Sequence, residues 1–458
     1  MSDSEEEQFK LYKGDSRIPC RYGAKCYQKN AAHHEKYKHL PSKDAKKQKG
    51  GRRVVIGKKR KKHEDNEGSV DSSKKKVLKK DDAEVNESVP QIDNDQNVEK
   101  TEENFEPMKQ ESDLDNENPI KHPSTQVTIA SLLRDCNFSI NDNKVLPTEV
   151  QTIISHLFLT EMPEDFFQLY EFCKTISEKD PLNVFKDVQL QLVGPYDIFN
   201  ETFLNSKVDD KKSLLRHWRY YYDPPEFQTI IKVNGKEALH FGYWRDNVSE
   251  GPEFVAKNTA IINCVIEPVA ENIFATLYVH LEEKIKMANP FEKTRITQLQ
   301  QKLKNYAREK NITLNQKSSR MQDREKKVVA RTFHKAGIVV PYDKKTELGY
   351  RNLAVTDNEL KKILKQIGDA RTPEERKIPF SKLEEVIRLA TIAADECDFG
   401  TCLELGHDLF CSGIPHVQNK ALNMLSLAYN LLQRPQFLEI VQAHFKDRNK
   451  GQNLSILH

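Results

Sequence analysis

The segment "FQTIIKVNGKEALHFGYW", residues 227–244, decides the fold of the middle of the chain. Its two arms, "FQTIIKV" and "KEALHFGYW", are rich in β-branched and aromatic residues, which favour strands. Asn234-Gly235 lies between the arms, and this dipeptide is a strong hairpin signal because both of its residues tolerate positive φ. The segment therefore predicts a β-hairpin with a tight turn at Asn234-Gly235.

The sequence around this hairpin predicts further strands and helices. "TAIINCVIE", residues 259–267, has the composition of a third strand, and "ENIFATLYVHLEEKIK", residues 271–286, has the period of an amphipathic helix. On the N-terminal side, apolar residues recur at helical spacing through residues 145–178. We therefore expect a mixed α/β domain over residues 126–285.

The following region, residues 286–448, has a helical period almost throughout. The helical segments are "TRITQLQQKLKNYAREK", "DNELKKILKQIGDA", "SKLEEVIRLATIAADECD", "TCLELGHDLF", "KALNMLSLAYNLLQ" and "QFLEIVQAHFKD". Successive helices with short links favour an antiparallel helical domain. The expected fold class is therefore α+β, with a mixed α/β domain followed by a mainly helical one and a flexible tail at 449–458.

The N-terminal quarter of the chain has a different composition. Residues 43–63 hold eleven Lys or Arg against one acid, whereas residues 81–118 hold fourteen Asp or Glu against two Lys. With few apolar residues to bury, residues 43–125 are expected to be a disordered linker, basic and then acidic, and residues 1–15 a disordered acidic tail. The basic stretch "GKKRKKH", residues 57–63, is typical of a nuclear import signal or a direct DNA contact, with a solvated tether as the alternative.

No stretch approaches 18 consecutive apolar residues, so we expect no membrane partner. The acidic start "MSDSEEEQFK" is unlike a secretory signal, and the eight cysteines are therefore not expected to form a disulfide framework.

A candidate zinc site lies in "SRIPCRYGAKCYQKNAAHHEKYKHLPS", residues 16–42. Its Cys and His residues, spaced C-x5-C-x6-H-x5-H, are Cys20, Cys26, His33 and His39. Two thiolates and two imidazoles suit one tetrahedral structural zinc ion, and so small a segment needs the metal to fold. A ββα DNA-reading finger has about twelve residues between its second cysteine and first histidine, so this is not that finger.

The segment resembles the poly(ADP-ribose)-binding zinc finger, whose spacing it shares together with "CRYG" and "CYQ" around the two cysteines. The resemblance implies that Tyr22 and Tyr27 stack on the adenine rings of ADP-ribose and that Arg17 is the basic residue ahead of the first cysteine. Gln28 replaces an arginine that pairs with phosphate in that class, which should lower the affinity. The alternative is a purely structural zinc knuckle.

The stretch "TIAADECDFGTCLELGHDLF", residues 391–410, places Asp395, Glu396 and Asp398 at the end of an apolar helix. Acids are unfavourable at a helix C-terminus, where the helix dipole prefers cations, so this placement suggests a use. A general base is one interpretation. The others are that Asp398 caps the next helix and that Asp395 pairs with a surface lysine.

From about residue 126 to 447 the chain resembles the histone PARylation factor 1 family, the accessory proteins of the DNA-damage poly(ADP-ribose) polymerases. The phrases that carry the resemblance are "YYDPPEFQT", "GYWRD", "DREKKVVARTFHKAGIVVP", "LGYRNL", "AADECDFG", "LELGHDLFCSG" and "LAYNLLQR".

The resemblance implies that Glu396, with Asp395 beside it, is inserted into the polymerase active site as a general base for serine ADP-ribosylation. It also implies that Tyr350 and Arg351 dock on the polymerase, that histones are substrates, and that NAD enters only through the partner. The expected location is the nucleus, on chromatin at DNA damage sites.

Two other classes of function compete with this interpretation. A stand-alone hydrolase of ADP-ribose linkages would use Asp395 and Glu396, but it would need a ligand pocket and usually a metal or a macrodomain-like phosphate loop, which the sequence does not indicate. No G-x-G-x-x-G motif follows a strand, so nothing resembles an NAD site. A chromatin adaptor would read poly(ADP-ribose) through the finger without any catalytic contribution. We expect no turnover by the isolated protein.

Overall fold

The computed structural model describes residues 14–20, 31–39, 127–141, 144–146 and 148–457. The predicted linker at 43–125 and three of the predicted finger residues, Tyr22, Cys26 and Tyr27, lie outside these ranges. Within them, no helix is both long and apolar enough to cross a bilayer.

The described residues of the N-terminal finger segment contain three short elements. They are β1 (Ile18–Pro19), α1 (Ala31–Lys36) and β2 (Tyr37–Lys38). Strands β1 and β2 pair in parallel with Ile18 opposite Tyr37, and the amide of Cys20 donates to the carbonyl of Lys38 at 2.8 Å. This pairing brings the two ends of the segment together.

The α/β part begins at residue 127. Its elements before the central hairpin are β3 (Val127–Thr128), α2 (Ile129–Asp135), β4 (Ile140–Asn141), β5 (Lys144–Val145), α3 (Val150–Phe158), α4 (Glu164–Ile176), β6 (Leu190–Leu192), α5 (Glu201–Asn205) and β7 (Lys207–Val208). Short 3₁₀ helices lie at Pro181–Asn183, Lys186–Val188, Gly194–Phe199 and Lys211–Arg216. From the hairpin onward the elements are β8 (Phe227–Val233), β9 (Leu239–Trp244), β10 (Phe254–Thr259), β11 (Glu267–Ala270), α6 (Ile273–Met287) and α7 (Pro290–Glu309).

The predicted hairpin forms the centre of a five-stranded antiparallel sheet with the order β11-β10-β9-β8-β6. Strands β8 and β9 pair with Phe227 opposite Trp244, so the hairpin prediction is confirmed. The predicted tight turn is wrong. The left-handed residue of this loop is Ala238, at φ 54°, and not Gly235, because a longer loop joins Val233 to Leu239.

The predicted third strand at 259–267 is also wrong. Strand β10 ends at Thr259 and β11 begins at Glu267, so most of "TAIINCVIE" forms the turn between two strands. Ile261 and Ile262 in this turn are 52% and 61% exposed. The β-branched composition of the segment therefore does not reflect burial in the sheet.

The sheet separates two sets of buried side chains. Ile231, Phe241 and Tyr243 face a core built with helices α2–α7, whereas Phe227 and Trp244 pack on the opposite side with Ala336. The alternation of side chains along a strand places neighbours such as Tyr243 and Trp244 on different faces. Both faces are buried.

Helix α7 belongs to the core of the α/β part, because Ile296, Leu303 and Ala307 are buried within it. That core therefore extends past residue 285, where the sequence placed the end of the α/β domain. Asn289 and Glu292 form a capping box at the start of this helix, which explains why a new helix begins directly after α6.

The helical part carries a second core. Its elements are α8 (Ser319–Glu325), α9 (Asp357–Asp369), α10 (Pro373–Asp395), α11 (Phe399–Ser412), a 3₁₀ helix at Pro415–Val417, α12 (Gln418–Leu431) and α13 (Pro435–Lys446). Helices α11 and α12 pack closely, and the side chain of Leu425 lies where a Cβ on Gly406 would point. The fold class is α+β, as predicted.

Buried polar contacts tie the sheet to the helical part. Oε1 of Glu226 accepts from the hydroxyl of Tyr429 at 2.9 Å and lies 3.3 Å from Nε2 of His407. Arg324 forms an ion pair with Asp246, with nitrogen–oxygen distances of 2.7 Å. The contacts of Glu226 tie α11, which carries most of the acidic stretch 391–410, and α12 to the start of the sheet.

Candidate functional site

The finger segment brings three of its four predicted ligands together. The ligand atoms of Cys20, His33 and His39 all lie within 4.8 Å of one another. Sγ of Cys20 is 3.6 Å from Nε2 of His33, and the Nε2 atoms of His33 and His39 are 3.0 Å apart. Ligands of a tetrahedral zinc ion at about 2.0–2.3 Å lie roughly 3.3–3.7 Å from one another. The distance between Cys20 and His33 lies within this range, and the His33–His39 distance is about 0.3 Å below it, so a small separation of the two imidazoles would admit zinc. Cys26, the fourth predicted ligand, lies outside the described residues.

Burial lowers the pKa of both His33 and His39, which favours the neutral imidazole that a metal requires. The negative charge of Glu396 opposes this shift at His33. The finger segment therefore lies within electrostatic range of the acidic helix end.

Arg17, predicted to bind ADP-ribose, makes contacts within the finger segment. Its Nε lies 3.0 Å from both carboxylate oxygens of Asp15, and its Nη1 donates to the carbonyl of His34. The hydrogen bond from Arg17 lowers the pKa of Asp15 to about 2. The Arg17 side chain is 45% exposed, so a phosphate would have to compete with Asp15 for it.

The acidic helix end is a sharply defined turn. Helix α10 ends at Asp395, Glu396 is its C-cap, and Cys397 follows in the left-handed region at φ 72°. The amide of Asp398 donates to the carbonyl of Ala393 at 2.8 Å, and that of Cys397 donates to the carbonyl of Ala394 at 3.0 Å. This is a Schellman motif, with cysteine at the position that usually holds glycine.

The turn buries two of its acids and exposes the third. Asp395 points to solvent, whereas Glu396 and Asp398 are 7% and 6% exposed. Asp398 occupies the N-cap position of α11, but its side chain makes no capping hydrogen bond. The capping interpretation of Asp398 is therefore wrong.

Arg351 holds the two buried acids. Its Nε donates to Oδ2 of Asp398 at 2.5 Å, and its Nη2 donates to Oε2 of Glu396. Burial by itself would lower the pKa of Arg351, but the hydrogen bond to Glu396 and the charge of Asp398 raise it above its ordinary value. The guanidinium is thus a permanent cation that compensates two carboxylates.

The loop that carries Arg351 is attached to the acidic turn through its backbone. The amide of Gly349 donates to Oδ1 of Asp398 at 3.0 Å, and the amide of Gly400 donates to the carbonyl of Gly349 at 2.9 Å. Oγ1 of Thr401 accepts from the amide of Arg351 at 3.1 Å. Gly349 has φ +111°, and a Cβ there would lie 2.0 Å from the carbonyl oxygen of Pro341.

Tyr350 turns away from Arg351 toward helix α11. Its hydroxyl lies 3.1 Å from Oε2 of Glu404 and 3.2 Å from Oδ1 of Asn352. Burial raises the pKa of Tyr350 above its ordinary range, and it raises that of Glu404 to about 7. The two residues predicted to dock on a polymerase therefore each contact an acid of the 391–410 stretch.

The structure thus brings Arg351 to Glu396 and Asp398, which lie 45 and 47 residues later in the sequence. The roles of Gly349 and Asp398 were missed by the sequence reasoning. The glycine in "LGYR" was the one signal for the loop, because only a glycine fits at its positive φ.

Two parts of the chain match known protein families. The profile of the PBZ domain, the poly(ADP-ribose)-binding zinc finger, matches residues 17–43. The N-terminal segment is therefore a zinc finger of the PBZ class, and it precedes an α+β body. The profile of histone PARylation factor 1 matches residues 149–448.

The curated relatives agree with this match. The chain is 39% identical to histone PARylation factor 1 of Mus musculus over 305 residues, which cover 66% of this chain and 88% of the relative. It is 40% identical to that of Danio rerio over 312 residues, 68% of this chain and 89% of the relative. It is also 40% identical to a putative histone PARylation factor 1-like protein of Homo sapiens over 308 residues, 66% of this chain and 88% of the relative. The chain belongs to the histone PARylation factor 1 family.

Proposed function

We propose that this chain is an accessory factor that docks on a poly(ADP-ribose) polymerase and supplies Glu396 as a general base for serine ADP-ribosylation of histones and other chromatin proteins. The family supports the partnership with a polymerase. The observation that carries the proposal is the clamp of Arg351 on Glu396 and Asp398, because it joins a docking residue and a candidate base in one cluster.

The chemistry of serine explains why a base is needed. A serine hydroxyl is far from ionised at neutral pH, so its attack on the anomeric carbon of NAD, with nicotinamide as the leaving group, requires a group that takes the proton. Carboxylate acceptors are already ionised and need no such help. In this proposal Glu396 takes the proton, and exposed Asp395 stands beside it at the surface.

Docking would act on the same cluster. The Arg351 side chain is 31% exposed, so a carboxylate of the polymerase can reach it while Tyr350 contributes a neighbouring contact. A guanidinium that turned toward the polymerase would release Glu396 from its ion pair at the moment of docking. The isolated chain would have no turnover, and NAD would be bound by the polymerase alone.

The finger would bring the factor to its place of action. The PBZ match and the converging Cys20, His33 and His39 support one structural zinc ion and poly(ADP-ribose) binding, with Arg17, Tyr22 and Tyr27 as the ligand contacts. Polymer already made at damaged chromatin in the nucleus would then raise the local concentration of the factor. The basic part of the linker, residues 43–63, would add a direct DNA contact.

A second candidate function is a chromatin adaptor that reads poly(ADP-ribose) without a catalytic contribution. It is favoured by the ion pair itself, because Glu396 is engaged with Arg351 in the isolated chain.

One experiment separates the two functions. A purified polymerase modifies histones with wild-type protein, Glu396→Gln or Glu385→Gln, and the acceptor residues are mapped by mass spectrometry. Glu385 is an exposed acid on helix α10, so its substitution is a matched control. Loss of serine labelling with Glu396→Gln alone, at unchanged polymerase affinity in calorimetry, supports the base. Serine labelling that survives Glu396→Gln supports the adaptor instead.

A further inference from the structure

A second group of acids lies beside the loop that carries Arg351, residues 349–352, which we call the docking loop after its proposed role. This group is separate from the ion pairs of Arg351 with Glu396 and Asp398. The ligand oxygens of Asp357, Glu404 and Asp408 all lie within 4.8 Å of one another. Glu404 and Asp408 are four residues apart on α11 and therefore share one helix face. Asp357 is the first residue of α9 and is exposed, so the group opens to solvent on one side.

One carboxylate oxygen of this group has no hydrogen-bond partner among the residues that the structure describes. Asp408 is 0% exposed, and its Oδ1 accepts from the amide of Phe333 at 2.7 Å. Its Oδ2 is buried and has no hydrogen-bond partner. A buried carboxylate oxygen without a partner is costly, and native structures rarely keep one without a use.

The surrounding charges leave this cost uncompensated. Lys335 approaches the group from outside, with its Nζ 3.9 Å from Oδ2 of exposed Asp357 and its side chain 47% exposed. Glu404 adds a second acid that is only 8% exposed.

We propose that Asp357, Glu404 and Asp408 bind a hard divalent cation, Ca²⁺ or Mg²⁺. The ligand set is made of oxygen atoms alone, which these ions prefer over zinc. Two oxygens on opposite sides of Ca²⁺, each at about 2.3–2.6 Å, lie up to about 5 Å apart, so ligand oxygens within 4.8 Å of one another are close enough to share the ion. The open side at Asp357 leaves room for water ligands.

The cation would order the docking loop. It would link the start of α9 to α11, and it would keep Glu404 as the carboxylate that accepts from the Tyr350 hydroxyl. Tyr350 precedes Arg351, so the ion would support the docking residues without touching a partner. This site does not depend on the proposed function.

The test uses the full chain with its finger loaded with zinc and freed of other metals by passage over a chelating resin. Calorimetric titration with CaCl₂, and separately with MgCl₂, should give one site per chain and a rise in melting temperature. Asp357→Asn should weaken binding at least tenfold without unfolding the protein, because Asp357 is exposed. Asp369→Asn removes the same charge from the other end of α9 and should bind as wild type does.

Binding of one ion but not the other supports the site and identifies its ion. The proposal is overturned if neither ion binds wild type up to about 10 mM. It is also overturned if Asp357→Asn binds as tightly as wild type, or if Asp369→Asn loses affinity equally, since general surface charge would then explain the binding. Asp408→Asn should abolish binding of the cation. If the Asp408→Asn protein fails to fold, the affinity of the exposed Asp357→Asn variant alone decides between the outcomes.

Discussion

Replacement of Gly349 by alanine tests whether the docking loop is held in place by its backbone. A Cβ at this position would lie 2.0 Å from the carbonyl oxygen of Pro341 and 3.2 Å from Cα of Tyr342, so the loop must move. At φ +111° the alanine also adopts a conformation that costs about 1–3 kcal/mol. The movement breaks the hydrogen bonds of Gly349 with Asp398 and Gly400, each contributing about 0.5–1.5 kcal/mol.

Together these effects should lower the free energy of unfolding by about 2–6 kcal/mol in urea denaturation, and they should weaken polymerase binding at least tenfold in calorimetry. Gly235→Ala is the matched control. A Cβ on Gly235 meets no atom within 4 Å, so this variant should be unchanged or slightly more stable. A Gly349→Ala protein within about 0.5 kcal/mol of Gly235→Ala, with unchanged polymerase affinity, would refute the reasoning.

Three further predictions concern other parts of the chain. Burial lowers the pKa of His280 to about 4, whereas the unfolded chain keeps about 6.5, so stability is lost as the pH falls from 6.5 toward 4. The neutral variant His280→Leu should therefore lose about 2 kcal/mol less than wild type between pH 7 and pH 5 in a denaturation series, and equal losses would contradict this. Cys397→Gly should raise the free energy of unfolding by up to about 1 kcal/mol relative to Cys397→Ala, because glycine relieves the left-handed strain at φ 72°; no difference between the two would show that the turn is unstrained. Cys20→Ser should lose its zinc in elemental analysis and its affinity for poly(ADP-ribose), while ADP-ribosylation of serine by the purified polymerase persists. One retained zinc ion per chain would show that Cys20 is not a zinc ligand.

Local patterns predicted the helices best, because periodic burial is visible in a single segment. The helix that ends at Asp395 and the two α-helices that follow it lie where the spacing of their apolar residues predicted them. The turn at Ala238 and the exposed Ile261 escaped prediction because composition does not report loop length or the position of a strand end. The sequence placed helix α7 in the helical domain, whereas its buried residues pack in the core of the α/β part. A helical period alone does not show which of the two neighbouring domains a helix packs against.

Prediction of the acidic site from the sequence was limited too, because the site depends on contacts between residues that are distant in sequence. The sequence raised the right question about Glu396, since an acid at a helix C-terminus needs a reason. It could not show that Arg351, 45 residues earlier, supplies the compensating charge. Pairing between distant residues depends on how α10, α11 and the loop at Gly349 pack, and no local pattern encodes that packing.

The backbone link between the docking loop and the acidic turn has a consequence for how this family can diversify. Gly349 binds both Asp398 and Gly400, and Thr401 binds the backbone of Arg351, so neither segment can change its path alone. Lineages that alter one segment should carry a compensating change in the other. Adaptation to a different polymerase would then accumulate at exposed neighbours of the loop, such as Glu347 and Asn352, while the linked backbone is inherited as a unit.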